Sequence, residues 1–79
     1  SLLIDEIENN LKYLLLDQNE NHITMQVHPF IYAYLNQGFF SIRRKWKRKY
    51  HRSIEIKEVK SFQITQYNFH NKNGEEIVL

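Results

Sequence analysis

Hydrophobic residues recur along the chain at spacings that change from helical to strand-like and back, and these changes mark its elements. Apolar residues repeat every three or four positions from Leu3 to Leu15, which predicts an amphipathic helix running to about Leu16. The segment HITMQV alternates apolar and polar residues, as a half-buried strand does. Pro29 and Gly38 bracket PFIYAYLNQ as start and stop signals, so a second, short helix is expected there.

The second half of the chain opens on GFFSIRRKWKRKYHR. Ile42, Trp46 and Tyr50 follow one another at i+4 spacing, and Phe39 falls in the same stripe, which predicts an amphipathic helix with one aromatic seam. SIEIKEV and FQITQYNFH are typical of strands, NKNG of a turn, and EEIVL is a candidate for a short final strand. The sequence therefore predicts one α+β domain over residues 1–79, in the order α-β-α-α-β-β. The helices are expected on one side of a small three-stranded sheet.

Composition narrows the class of protein. The 79 residues include no cysteine, which excludes disulfides and thiolate metal sites. The apolar runs are far shorter than a membrane span, so we expect a cytoplasmic protein. The chain begins SLLIDEIE, already in helical register and without an initiator methionine, which predicts a fragment of a longer chain. Its eleven aromatic residues exceed what so small a core readily buries, so we expect self-association or a neighbouring subunit. The interface candidates are Tyr32, Tyr34, Phe39 and Phe40.

Charge is distributed unevenly. Residues 1–20 carry a local net charge of −4, with Asp5, Glu6 and Glu8 in the first helix, and residues 41–52 carry seven basic residues and no acid. Like charges at i,i+4 destabilise a helix, which favours an anionic partner for this segment. That partner is either an RNA backbone or the acidic first helix of the same or a neighbouring subunit. The candidate RNA-binding residues are Arg43, Arg44, Lys45, Lys47, Arg48, Lys49 and Arg52.

A catalytic interpretation finds little support in the sequence. Two glycines cannot make a phosphate-cradling loop, and four histidines (His22, His28, His51 and His70) show no metal-ligand spacing. We therefore assign no catalytic residue, no metal ligand and no cofactor within these 79 residues.

The predicted order β-α-α-β-β, with Gly38 between the helices and positive charge after it, resembles the core of a KH RNA-binding module. In KH modules a GxxG loop between the helices clamps the nucleotide backbone. Here the four residues are Gly38, Phe39, Phe40 and Ser41. The second glycine of the motif is therefore a serine, and two large rings stand between the two positions.

A second resemblance covers nearly the whole chain. The strings VHPFIYAYLNQGFFSIRRKWKRKY, IEI and YNFHNKNGEE are similar, in order and spacing, to the C-terminal end of bacterial ribonuclease E/G proteins. In that family the region is the small domain that follows the zinc-link and helps to assemble a tetramer from two dimers. The resemblance implies a non-catalytic C-terminal domain of an endoribonuclease that acts in RNA processing and decay. Its expected roles are subunit assembly and a candidate contact to the RNA backbone.

The same resemblance places the parent enzyme's catalysis outside this chain. Cleavage of single-stranded RNA belongs to an upstream subdomain that binds Mg²⁺, and the zinc ligands also lie upstream. No residue of this chain matches either set. The alternative left open by the sequence is a purely structural oligomerisation domain with no affinity for RNA.

Overall fold

A computed structural model describes all 79 residues, from Ser1 to Leu79. Four strands and three α-helices make up the domain, and a π-helical turn over Tyr13–Asp17 continues the first helix. The helices span Leu2–Lys12 (α1), Pro29–Leu35 (α2) and Ile42–Tyr50 (α3). The strands span His22–Val27 (β1), Ser53–Glu58 (β2), Tyr67–His70 (β3) and Glu76–Ile77 (β4). The chain is therefore an α+β domain, as predicted.

Side-chain caps set the starts of the helices. His28 caps α2, because its Nδ1 accepts a hydrogen bond from the backbone N–H of Phe30 at 2.9 Å, and Pro29 follows in the first helical turn. Ser41 caps α3, because its hydroxyl accepts from the backbone N–H of Arg44 at 3.3 Å. Each cap satisfies an N–H that would otherwise lack a partner at a helix start.

The sheet is mixed and has the strand order β2-β1-β3-β4. β1 and β2 run parallel, with Ile23 opposite Ile54 and Met25 opposite Ile56, and α2 and α3 form the crossover between them. β3 lies antiparallel on the other edge of β1, where Phe69 pairs with Met25, and β4 extends the sheet beyond β3.

One face of this sheet carries the core. The inward-facing residues of β1, β2 and β3 meet the apolar faces of the helices, and together they make a single cluster of 14 buried hydrophobic residues. The helical members are Ile4, Ile7, Leu11, Leu14, Leu15, Leu35, Trp46 and Tyr50. Residues that alternate with the core positions, such as Thr24, Glu55 and Lys57, lie half-buried or exposed on the opposite face. That face is polar, which is the usual pattern of a sheet covered on one side only.

The predicted order α-β-α-α-β-β with a three-stranded sheet is wrong in detail, because the sheet has four strands and the short β4 follows β3. The predicted strand FQITQYNFH is also shorter than expected: only Tyr67–His70 pairs, and residues 59–66 form turns. The reason is topological. β2 and β3 lie on opposite sides of β1, and both Glu58 and Tyr67 pair with Val27, so residues 59–66 must cross the end of β1. Val59 still donates a backbone hydrogen bond to the Val27 carbonyl at 2.8 Å, but residues 60–66 lie beyond the end of β1 and do not pair with it.

The prediction that Phe39 belongs to the aromatic seam of α3 is wrong as well. The helix begins at Ile42, after the Ser41 cap, and Phe39 lies in the preceding connection with 80% of its surface exposed. Trp46 and Tyr50 occupy the buried face as expected, and Ile42 packs partly against the core.

A polar clamp fastens α1 to the sheet. The Tyr67 hydroxyl of β3 donates a hydrogen bond to Glu6 Oε2 at 2.7 Å and accepts one from Asn10 Nδ2 at 2.8 Å. Partial burial, followed by the hydrogen bond to Glu6, raises the pKa of Tyr67 to about 12. The hydroxyl therefore stays protonated, and the clamp stays intact, throughout the neutral range.

Candidate nucleic-acid interface

The six basic residues of α3 lie on different sides of the helix, and the seventh candidate, Arg52, follows the helix. Successive residues of an α-helix are about 100° apart, so Trp46 and Tyr50 share the buried face with Ile42. Lys45 and Lys49 flank that face on the side of α1. The remaining exposed cations of the helix point away from the body of the domain, and they are Arg44, Lys47 and Arg48.

The side that faces α1 is partly neutralised within the chain. Lys49 Nζ lies 3.0 Å from Glu8 Oε2, and the Tyr50 hydroxyl donates a hydrogen bond to the same oxygen. Lys45 lines the neighbouring cleft together with Asp5 and Glu8. The acidic first helix is therefore a counter-charge for one side of α3 in its own subunit, which is one of the two partners that the sequence left open.

Glu8 is the centre of this contact. Burial would raise the pKa of Glu8, but hydrogen bonds from Tyr50 and Lys49, with a further contribution from Trp46, hold it below its ordinary value of 4.5. The hydrogen bond from Lys49 to Glu8 correspondingly raises the pKa of Lys49. Both groups are thus charged at neutral pH, and they join α1 to α3.

Replacing Glu8 with glutamine is expected to lower the free energy of unfolding at neutral pH by about 1 kcal/mol, after allowance for solvent screening. Because the pKa of Glu8 is depressed in the folded protein, its stabilisation is fully present above the pKa of the unfolded carboxyl. It is lost as the pH falls through the folded value. Urea unfolding of both proteins from about pH 2 to 7 measures the effect, and the difference between them should shrink on the acid side.

The matched control is Asp17→Asn, which neutralises an exposed acid at the end of the π-helical turn. It should change the unfolding free energy by less than about 0.5 kcal/mol across the same pH range. A Glu8→Gln difference that did not vary with pH would contradict the proposed contact.

Arg43 and Arg52, which are also candidate RNA-binding residues, make hydrogen bonds within the chain. Arg43 Nε donates to Asn36 Oδ1 at 2.6 Å, which ties α3 to the end of α2. Arg52 directs its guanidinium at the carbonyls of Tyr50 and His51, at 3.4 and 3.5 Å. A cation at these last carbonyls also suits the negative end of the helix dipole. The contact of Arg43 joins α3 to α2, whereas the contacts of Arg52 are local to the end of α3.

The outward cations of α3 have no carboxylate within 4.0 Å. Only three acid–base pairs occur in the chain, and none involves Arg44, Lys47 or Arg48. Lys47 and Arg48 lie in the last turn, where the helix dipole favours positive charge, whereas Arg44 lies in the first turn, where it does not. This face is therefore a concentration of positive charge that the protein itself leaves unpaired.

Two exposed phenylalanines stand beside this face. Phe39 and Phe40 expose 80% and 75% of their surface, and their ring centroids are 6.0 Å apart with planes tilted by 59°. The Arg44 guanidinium lies 5.2 Å from the centroid of the Phe39 ring and donates to the Phe39 carbonyl at 3.4 Å. Gly38 adopts a positive φ of +78°, which bends the backbone just before the two phenylalanines.

The other interface candidates lie on α2. Tyr32 packs partly against the core, and Tyr34 is about half exposed. Phe30, which the sequence analysis did not single out, exposes 70% of its surface one helical turn before Tyr34.

The four histidines are dispersed, and His22 is the one with a carboxylate within 4.0 Å, since its Nε2 lies 4.0 Å from Glu55 Oε2. His22 Nδ1 lies 2.7 Å from Ser53 Oγ, and His28 caps α2. No three His, Asp or Glu side chains come together in a group that could hold a metal ion. None of the helices has the length and apolar character needed to cross a lipid bilayer.

Comparison with protein-family models, curated proteins and solved structures found no match to this chain. The class of protein that the fold and the surface define is a small α+β domain with a basic helix whose outer face lacks acidic partners.

Proposed function

We propose that the chain is a non-catalytic domain that binds the RNA backbone through the outer face of α3, as part of a ribonuclease E/G-like endoribonuclease. The observation that carries the proposal is the group of three exposed cations on the outer face of α3, none of which has a carboxylate within 4.0 Å: Arg44, Lys47 and Arg48. Anions that approach this face displace no internal ion pair. An RNA strand offers phosphates in a row, which is the arrangement that a row of cations on a helix complements.

Two further features support the proposal. Lys49 and Lys45 already face the acids of α1, so an acidic neighbouring subunit is not needed to neutralise that side of the helix. The order β1-α2-α3-β2 also agrees with the resemblance to KH modules, whose loop between the two helices contacts nucleotide backbone. The connection from Gly38 to Ser41 occupies that position here. The setting in an RNA-processing enzyme rests on the similarity of the quoted strings to the ribonuclease E/G family.

A salt titration of the chain with a fluorescent single-stranded RNA of about 12 nucleotides tests the proposal. Each phosphate contact to a single strand contributes about −0.7 to the slope of log affinity against log salt. Three contacts predict a slope near −2 between about 0.05 and 0.3 M salt. Absence of binding at the lowest salt, or binding with a slope near zero, would overturn the proposal.

Assembly with a second subunit is the other candidate, and the exposed pair Phe30 and Tyr34 on α2 favours it. Two large rings one helical turn apart are a surface that a partner could bury. We expect weak self-association in sedimentation equilibrium at high protein concentration, reduced in a Phe30→Ser/Tyr34→Ser variant. A chain that stays monomeric under these conditions would count against assembly through α2 and leave RNA binding untouched.

A further inference from the structure

The surface beside the unpartnered cations is unusual because its apolar part consists of two phenylalanine rings that the fold does not use. Phe39 and Phe40 lie outside the core cluster, and neither belongs to a helix or a strand. Fully burying a ring of this size stabilises a protein by about 1.5–3 kcal/mol. Two adjacent exposed rings contribute little of this hydrophobic free energy to folding. A ligand that buried both rings would gain that free energy on binding.

We propose that Phe39 and Phe40 form a stacking platform for unpaired bases, so that the basic face of α3 selects single-stranded over double-stranded RNA. This inference rests on the proposed function and names the class of RNA that the same surface takes. In a duplex the faces of the bases are already stacked, whereas in a single strand they are free to stack on aromatic rings.

Arg44 connects the two parts of this site. Its guanidinium lies over the Phe39 ring, 5.2 Å from the centroid, while 80% of the Phe39 surface stays exposed. Arg44 is also one of the three exposed cations on the outer face of α3. The same side chain is therefore placed to meet a phosphate while it holds the ring on which the neighbouring base stacks. A strand bound in this way runs from the rings at the start of α3 along Lys47 and Arg48.

Charge argues for a nucleic acid rather than an apolar protein partner. A protein that buried the two rings would also cover Arg44, and it would have to supply acids for the cations beside them or leave those cations without water. A nucleotide brings an aromatic face and a phosphate in one unit. Exposed aromatic rings beside cations without a carboxylate partner therefore match the chemistry of single-stranded RNA.

A thermodynamic cycle between the rings and the bases tests the inference. The parent chain and a Phe39→Ala/Phe40→Ala variant are each titrated with a single-stranded RNA, an abasic strand of equal length and a duplex. Loss of two stacked bases should weaken binding of the normal single strand roughly 30-fold, taking about fivefold for each ring. Affinity for the abasic strand and the duplex should not change, and the salt slope should stay near −2, because the phosphate contacts remain.

Phe30→Ala is the matched control, because Phe30 is as exposed as the platform rings but lies at the start of α2. It should bind all three nucleic acids as the parent does. Equal binding of the normal and abasic strands by the parent would overturn the stacking inference while leaving backbone binding intact. Failure of the parent chain to bind any strand would overturn both the stacking inference and the proposed RNA binding. If the Phe39→Ala/Phe40→Ala variant lost self-association but kept its RNA affinity, the two rings would belong to a protein interface instead.

Discussion

Replacing Trp46 with alanine is expected to lower the free energy of unfolding by about 3–5 kcal/mol. Trp46 is only 2% exposed and lies at the middle of the buried face of α3, within the single core cluster. Its removal leaves a cavity among residues of the helices and the sheet, and so small a domain has few other contacts with which to fill it. Native proteins have a total stability of about 5–15 kcal/mol and a domain this small lies toward the low end, so this variant should lie near the limit of folding.

Urea unfolding followed by far-ultraviolet circular dichroism measures the effect without relying on the tryptophan signal. The control is Phe39→Ala, which also removes an aromatic ring but from a side chain that is 80% exposed. It should change the unfolding free energy by no more than about 0.5 kcal/mol. A near-neutral Trp46→Ala, or a Phe39→Ala of similar cost, would contradict the packing of α3 described above.

Replacing Arg44, Lys47 and Arg48 together with glutamine is expected to weaken binding of single-stranded RNA by about 500-fold at about 0.05 M salt. A slope of about −0.7 for each contact corresponds to roughly eightfold in affinity at this salt concentration, and three independent contacts multiply to that figure. The loss should be similar for different RNA sequences, because phosphate contacts carry no base information. The variant should fold as stably as the parent or slightly more so, since Arg44 and Arg48 repel each other at i,i+4.

A control with the same change in net charge separates a local contact from general attraction. The variant Lys12→Gln/Lys60→Gln/Lys72→Gln removes three exposed lysines outside α3. It should retain most of the affinity, and its salt slope should stay close to that of the parent. If both triple variants lost affinity equally, RNA would be responding to the net charge of the chain and not to the outer face of α3.

Much of the local structure follows from neighbouring residues in the sequence. The alternation of HITMQV predicted β1 with Ile23, Met25 and Val27 on one face, and these three residues are buried. Pro29 marked the start of α2 correctly, and the i+4 spacing of Trp46 and Tyr50 identified the buried face of α3. Such signals are readable because backbone geometry and side-chain direction repeat over a few residues.

The sequence predicted the candidate RNA-binding surface only in part. The sequence identified the seven cations of residues 41–52, but it treated them as one group. Contacts with residues that are distant in the chain divide them: Lys49 meets Glu8, which lies 41 positions earlier, and Arg43 meets Asn36 at the end of α2. Which cations remain unpaired therefore depends on how α1 and α2 pack against α3.

Periodicity within a few residues was enough to predict the α+β class, the position of β1, and a basic helix with one aromatic face. The strand order of the sheet, the turns over residues 59–66, and the clamp between Tyr67 and Asn10, 57 positions apart, could be seen only in the folded chain. These features depend on which edges of β1 are occupied and which helix faces are covered. Long-range packing sets both, and no short stretch of sequence contains that information.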